Sequence, residues 1–297
     1  MQPSALPLDR PGEGLRLVRA NNPSPMTQNG TNTWIVGEGN VAVIDPGPAL
    51  PAHQRAIMAA LAPGERISHI FVTHAHLDHS GLARPLAEAT GAPVLAFGDA
   101  LAGRSERMAN LVAQGLQPGG EGVDARFAPD ITLADGDCVD GQSWALQVLH
   151  TPGHFGNHIC LLWRGGAFVG DHVMGWASTL ISPPDGDLAD YMASLARLAA
   201  ANPGRLYSGH GAVIEDPASR IDDLAAHRRQ RSAQIMAELQ KGPGSVAALV
   251  RSIYGDTPAV LHAAAARNVL AHLIDLEERK LVTAVFDAAR DLCYQRA

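Results

Sequence analysis

Apolar and polar residues in the stretch 15–97 follow two alternating patterns, one typical of strands and one typical of helices. Short apolar or β-branched runs predict strands at 15–18, 33–36, 41–44, 67–72 and 94–97. Helical composition at 51–61 and apolar positions three or four apart at 78–90 predict two helices, the second ended by Gly91. The run 67–72 is apolar almost throughout, which indicates a strand buried on both faces.

The stretch 144–207 repeats this organisation. Strands are predicted at 144–149, 159–163, 167–169 and 206–207, with a helix at 188–201 before the last strand. Two β-rich halves that are each covered by helices predict an α/β protein with a four-layer αβ/βα sandwich.

The pattern changes after residue 211. Helices are predicted at 217–239, 246–253 and 261–280, followed by a pair of strands at 281–286 and 292–294. Three helices followed by a hairpin are the element order of a winged helix. We therefore predict one domain at 1–229, which contains the sandwich, and a winged-helix-like domain at 230–297.

Candidate metal ligands cluster in the segment 70–81, where a predicted strand runs into a polar loop. His74, His76, Asp78 and His79 occupy four of six consecutive positions. Alternate residues of an extended loop point the same way, so His74 and His76 can bind one ion while Asp78 and His79 turn toward a second.

Three later residues stand at similar places, each beside a glycine and close to the end of a predicted strand. The predicted ligands are His74, His76 and His154 for one ion, Asp78, His79 and His210 for the other, and Asp171 as the bridge. Imidazoles and carboxylates without a thiolate favour two Zn²⁺ ions, and iron or manganese stays open.

Three further polar residues are predicted to support this site. Asp45 ends the strand 41–44 and is expected to orient a loop of the metal site. His158 follows His154 by four residues and is expected to form a hydrogen bond near the site. His172 adjoins Asp171 and is expected to line the cleft.

In order and spacing, the predicted ligands resemble the HxHxDH…H…D…H pattern of the metallo-β-lactamase superfamily over roughly residues 15–225. The supporting motifs are Gly30-Thr-Asn-Thr-Trp-Ile-Val-Gly37, Val43-Ile-Asp-Pro-Gly47, Thr151-Pro-Gly-His154, Gly170-Asp-His-Val173, Pro184-Asp-Gly-Asp187 and Ser208-Gly-His-Gly-Ala-Val-Ile214. With the winged-helix-like tail, the chain is most similar to the lactamase-β-like protein 2 branch and next to glyoxalase II. The resemblance implies the sandwich fold of that superfamily.

The ligand set predicts a hydrolase that uses a metal-bound hydroxide on a small ester, thioester or lactone. Two such cations lower the pKa of a bound water toward ~7, so no serine or cysteine nucleophile is needed. Asp78 is the predicted catalytic residue, because its carboxylate can orient the hydroxide and move its proton.

Charge and composition bear on the competing functions. The chain of 297 residues has a net charge of −7, which disfavours broad capture of nucleic acid, although residues 228–297 carry ten Lys or Arg against seven Asp or Glu. A single-stranded RNA endonuclease, implied by the branch resembled, is therefore the alternative function. An iron-dependent persulfide dioxygenase and a metal-gated DNA-binding regulator are weaker hypotheses.

The remaining predictions concern partners and location. No run reaches the roughly 18 uncharged apolar residues of a membrane-spanning helix, and residues 1–11 show neither a secretory nor a transit pattern. We expect a cytoplasmic protein with a small-molecule substrate and no membrane partner, for which a homodimer stays open. Three cysteines without a CxxC motif predict neither a disulfide framework nor a cysteine-based zinc site.

Overall fold

A computed structural model describes residues 9–117, 119, 122–286 and 292–297. The strands within this part of the chain are β1 (Asp9–Gly12), β2 (Leu15–Arg19), β3 (Asn32–Val36), β4 (Asn40–Ile44), β5 (Arg66–Phe71), β6 (Val94–Ala96), β7 (Ile131–Thr132), β8 (Cys138–Asp140), β9 (Ala145–His150), β10 (Ile159–Trp163), β11 (Gly166–Gly170), β12 (Leu206–Ser208), β13 (Val282–Phe286) and β14 (Leu292–Arg296). The helices are α1 (Pro51–Ala59), α2 (Leu77–Ser80), α3 (Ala83–Thr90), α4 (Glu106–Ala113), α5 (Leu188–Ala200), α6 (Pro217–Glu238), α7 (Val246–Ile253) and α8 (His262–Glu278), with a 3₁₀ turn at Ala259–Leu261.

The first sheet has the strand order β1 to β7 in the described residues. Strands β1 to β4 form an antiparallel meander, and β4 to β7 are parallel neighbours. One face of this sheet packs on α1 and α3, where Val43, Ile70, Ile57 and Leu86 belong to one apolar cluster. The predicted opening meander and the alternation of strand and helix are confirmed.

The second sheet has the order β12-β11-β10-β9-β8 in the described chain, with only β12 parallel to its neighbour. Between the two sheets lies an apolar core that includes Trp34, Phe71, Leu146 and Phe168. The outer face packs on α5 and α6, and Tyr191 is among its buried residues. Helices therefore cover both sheets, and the predicted four-layer αβ/βα sandwich is confirmed.

The single helix predicted at 78–90 is wrong, because the chain forms α2 and α3 with a break between them. The backbone N–H of Leu82 donates to the carbonyl of Gly47 at 2.9 Å, in the loop after β4. A contact with a residue remote in sequence therefore interrupts the helix. Gly91 ends α3 with a φ of 72°, as predicted.

Among the α-helices and strands of the described residues, four lie outside the predicted set. Helix α4 begins at Ser105, whose hydroxyl accepts a hydrogen bond from the N–H of Met108 and caps the helix. Strands β1, β7 and β8 are two to four residues long, and such short strands carry too few positions for a clear pattern.

The C-terminal helices and hairpin follow the order predicted for a winged helix. Helices α6, α7 and α8 share a core with β13 and β14 that includes Ile235, Leu249 and Val269. Helix α6 runs across residue 230, and its Ile221 packs instead with the outer face of the second sheet. The domain boundary near residue 230 stays a prediction. None of the helices in the described part of the chain combines the length and the apolar character that a membrane span requires.

Candidate metal centre

The candidate ligands lie at one end of the sandwich, on loops and on the short helix α2. The two sheets meet there, since the backbone N–H of Ile159 donates to the carbonyl of Thr73 at 2.9 Å. These segments bring together His74, His76, Asp78 and His79 after β5, His154 between β9 and β10, Asp171 after β11, and His210 after β12.

Three imidazoles form the first group. Nδ1 of His76 lies 2.9 Å from Nε2 of His74 and 3.0 Å from Nε2 of His154. Three nitrogens at this spacing can bind one cation from three directions.

The second group consists of Asp78, His79 and His210. Oδ2 of Asp78 lies 3.6 Å from Nε2 of His79 and 3.3 Å from Nε2 of His210. These donor atoms also lie close enough to share one ion.

Asp171 lies between the two groups. Its Oδ1 is 3.4 Å from Nε2 of His79 and 3.3 Å from Nε2 of His210, whereas its Oδ2 is 3.9 Å from Nε2 of His154. Gly209 permits this approach, because a Cβ there would lie 2.6 Å from Cε1 of His79 and 2.7 Å from Oδ1 of Asp171.

Hydrogen bonds on the far side of three rings fix which nitrogen faces the site. Nδ1 of His154 lies 2.7 Å from the carbonyl of Leu180, and Nδ1 of His210 lies 3.3 Å from the carbonyl of Gly30. Nδ1 of His79 lies 2.8 Å from a carboxylate oxygen. Because these oxygens accept hydrogen bonds, each Nδ1 carries a proton, and Nε2 is the ring atom that would bind a cation once the ring is neutral.

Asp45 provides the carboxylate behind His79. It also accepts hydrogen bonds from the backbone N–H and the hydroxyl of Thr73, both at 2.8 Å. The Thr73 oxygen lies 3.0 Å from Nδ1 of His74, so Asp45 orients His79 directly and His74 through Thr73. Asp45 has a φ of 51°, a left-handed conformation that aspartate tolerates better than most residues.

The two other supporting histidines are buried behind the ligands. Nδ1 of His158 lies 2.9 Å from the hydroxyl of Thr151, and its ring centroid lies 5.1 Å from that of His74. The ring of His172 packs on Tyr191 with centroids 4.9 Å apart. His172 is fully buried and does not belong to the described lining of the cleft, which we attribute to this packing.

Sequence analysis missed Thr31 and Asn22. The Thr31 hydroxyl lies 3.3 Å from Oδ2 of Asp78, and the Asn22 side chain forms hydrogen bonds with both the hydroxyl and the backbone N–H of Thr31. Thr31 lies in the motif quoted above for residues 30–37, and Asn22 lies in a run of polar residues before β3, which by itself is typical of an ordinary loop.

The electrostatics of the two groups differ. Burial lowers the pKa of His76 to about 3, and it also lowers the pKa values of His74 and His154. Burial acts in the same direction on His79, but the charges of neighbouring carboxylates outweigh it and raise the pKa of His79 well above its ordinary value. The charge of Asp171 similarly outweighs burial at His210 and raises its pKa to about 9. The second group therefore attracts positive charge.

These residues fit divalent cations. Nε2 of His79 and Oδ1 of Asp171 are buried and have no hydrogen-bond partner among the described residues. Such buried polar atoms need a partner, and a cation between them supplies one. Imidazole nitrogens with carboxylate oxygens are a donor set typical of zinc and similar metals.

The candidate ligands open into a cavity of about 730 Å³. The sandwich contributes Met174 and Leu180 to its wall, and the C-terminal segment contributes Tyr254 and Leu261. The described lining residues include neither lysine nor arginine. The cavity is therefore apolar above an acidic and imidazole-rich floor.

Comparison with known families agrees with this geometry. The family model of the metallo-beta-lactamase superfamily matches residues 26–210. The chain belongs to the metallo-β-lactamase superfamily. The model of the beta-lactamase associated winged helix domain matches residues 245–289. The predicted resemblance and winged helix are confirmed, and this member of the superfamily is a hydrolase.

Relatives and solved structures match over most of the chain. A beta-lactamase-like protein 2 homolog from Drosophila melanogaster is 31% identical over 86% of this chain and 85% of the relative. An atrochrysone carboxyl ACP thioesterase from Aspergillus fumigatus is 30% identical over 82% of this chain and 75% of the relative. The crystal structure of a beta-lactamase domain protein from Burkholderia ambifaria matches with a TM-score of 0.82 at 23% identity, covering 100% of this chain and 95% of that one.

Proposed function

We propose that the chain is a dinuclear metal-dependent hydrolase of a small ester or thioester with an apolar acyl group. One observation carries the proposal: the carboxylate of Asp171 lies 3.3–3.9 Å from nitrogens of both groups of candidate ligands, at the floor of a large cavity whose described lining has no cationic side chain except histidine. Such a cavity suits a neutral, apolar group placed above a site of reaction.

The ligand groups assign a place to each ion. His74, His76 and His154 would hold one, Asp78, His79 and His210 the other, and Asp171 would contact both. When bound, such cations supply a nucleophile at neutral pH and a Lewis acid for the carbonyl oxygen. Zinc is the proposed metal because the donor set contains imidazoles and carboxylates without a thiolate.

Asp78 is the proposed catalytic residue because it lines the cavity and reaches both the ligands and the solvent side. Burial raises the pKa of its carboxyl, but the charge of His79 and the hydrogen bond from His210 outweigh burial and hold the pKa well below its ordinary value. Asp78 is therefore ionised at neutral pH. An ionised carboxylate at this position can orient the attacking water and accept its proton.

Exposed apolar side chains at the entrance of the cavity support a substrate with an apolar acyl group. Met26, Leu77, Trp176 and Val260 line the cavity and leave at least a third of their surface exposed. Exposed apolar side chains around one opening indicate a surface that binds apolar groups. The thioesterase among the relatives supports a thioester as the bond cleaved.

The same lining disfavours single-stranded RNA as the substrate. A phosphodiester track needs a cationic groove, and the described lining contains neither lysine nor arginine. Arg267, the basic residue of α8 nearest this region, donates a hydrogen bond from Nε to the Ser182 hydroxyl at 3.0 Å. It thereby links α8 to the wall of the cavity.

The test compares three substrates with the zinc-loaded chain. We expect hydrolysis of an octanoyl thioester, measured as released thiol, with loss of activity on chelation and recovery on adding zinc. Single-stranded RNA should remain intact, and a persulfide should cause no oxygen uptake. RNA cleavage or oxygen uptake without thioester hydrolysis would replace the proposal by the corresponding alternative.

A further inference from the structure

The carbonyl that orients His154 belongs to a loop held by the C-terminal helices. Nδ1 of His154 lies 2.7 Å from the Leu180 carbonyl. Leu180 stands between Thr179 and Ile181, and both neighbours form hydrogen bonds with side chains of α6 or α8. The position of the Leu180 carbonyl therefore depends on residues more than forty positions further along the chain.

Arg228 of α6 contacts Thr179, the residue before Leu180. Its guanidinium is buried, donates to the Thr179 carbonyl and lies over the ring of Tyr191 at 5.3 Å. The Thr179 hydroxyl in turn lies 2.9 Å from the carbonyl of Asp171. Arg228 thus contacts the Leu180 loop directly and is linked through Thr179 to the backbone of Asp171.

Asn268 of α8 contacts Ile181, the residue after Leu180. Its Oδ1 lies 3.1 Å from the backbone nitrogen of Ile181 and 3.3 Å from Nη1 of Arg228. One side-chain oxygen therefore accepts hydrogen bonds from the loop backbone and from the guanidinium that fixes the other side of the loop.

We propose that Asn268 is a positioning residue of the metal centre, which acts with Arg228 to place the Leu180 carbonyl against His154. The inference rests on the proposed metal-dependent function. A histidine ligand is oriented by the acceptor at its second nitrogen, and loss of such an acceptor lowers metal affinity by about 10–100-fold. The C-terminal helices are in this way part of the metal centre rather than an appended module.

The variant that tests the inference is Asn268→Ala, with Asn268→Asp as the conservative rescue. Alanine removes the acceptor for both donors, whereas aspartate keeps an oxygen at the same place. Ser232→Ala is the matched control, because Ser232 joins α6 to α8 through a 2.9 Å contact with Nδ1 of His272. That contact lies in the same pair of helices and involves neither Thr179 nor Ile181.

The measurement is the zinc retained per chain during titration with a chelator, together with the melting temperature of the metal-free chain. In Asn268→Ala, the ion bound by His74, His76 and His154 should be lost at a chelator concentration about 10-fold lower than in the native chain. Asn268→Asp and Ser232→Ala should retain zinc as the native chain does.

Two results would overturn the inference. Equal loss of zinc in Asn268→Ala and Ser232→Ala would indicate a general effect of weaker helix packing. Native retention in Asn268→Ala would show that the loop holds its position without Asn268. A native chain that binds no metal would instead refute the proposed function, so the two failures are distinguishable.

Discussion

The carboxylate of Asp45 accepts a hydrogen bond from Nδ1 of His79 at 2.8 Å, and both side chains are buried. Asp45 reaches no candidate ion itself, yet it sets the tautomer of His79 and, through Thr73, supports His74. The two ligand groups are therefore coupled through the carboxylate of Asp45, which directly follows β4, as well as through Asp171.

Replacing Asp45 by asparagine should weaken metal binding. The amide keeps the shape, but it loses the charge and one acceptor oxygen, so the ring of His79 is held less firmly. We expect the affinity for the ion at His79 to fall about 10–100-fold, measured by competition with a chelator.

Asp130→Asn is the control for Asp45→Asn. Asp130 also accepts a hydrogen bond from a backbone N–H and pairs with an arginine, but it lies on the surface at Val94 and Arg84. Unchanged zinc affinity in Asp45→Asn would show that the Asp45–His79 hydrogen bond does not matter for binding.

Replacing Asp171 by alanine should release both ions. Its two oxygens lie 3.3–3.9 Å from nitrogens of the two ligand groups, so each ion would lose a ligand without it. Elemental analysis after dialysis should show a fall from nearly two zinc ions per chain to well below one. Retention of one full equivalent would assign Asp171 to a single ion.

Replacing Asp78 by asparagine should lower kcat with little effect on folding. The amide cannot accept the proton of the attacking water, and a positioned proton-transfer group contributes at least about 10²-fold to the rate. The assay is thioester hydrolysis at saturating zinc, so that weaker metal binding does not limit turnover. Near-native kcat in a fully loaded variant would leave Asp78 with a ligand role alone.

The sequence predicted which candidate ligands lie together because those residues carry a dense local signal. Four polar side chains within six positions after an apolar strand are rare, and the later residues follow strands whose ends meet. Asn268 and Thr31 could not be found in this way, since Asn268 lies 87 positions from Ile181 and Thr31 lies 47 positions from Asp78. Their roles depend on tertiary contacts, as does the break between α2 and α3.

Replacing Ala264 by phenylalanine should change which acyl groups are hydrolysed. Ala264 of α8 lines the cavity, so a larger side chain there shortens the space above the candidate ligands. A poor fit of even one methylene in an apolar pocket changes kcat/KM by about 10–200-fold. We expect kcat/KM to fall at least about 10-fold for an octanoyl thioester and to stay nearly native for an acetyl thioester. An equal fall in kcat/KM for both substrates would show that the acyl group does not bind beside Ala264.

Replacing Asp190 by asparagine should flatten the dependence of stability on pH. Burial, with the charge of Asp187 added, raises the pKa of Asp190 from 3.8 to about 6. The native chain then holds a proton that the unfolded chain has released, so native stability falls as pH rises from about 4 to about 6. Because Asp190 is only half-buried, solvent screening reduces this loss to about 1 kcal/mol.

Urea unfolding at pH 4 and pH 7 should show a smaller loss of stability in Asp190→Asn than in the native chain. The same change at the exposed Asp222 of α6 should preserve the native slope. If Asp190→Asn loses as much stability between pH 4 and pH 7 as the native chain does, the buried surroundings of Asp190 do not hold its proton.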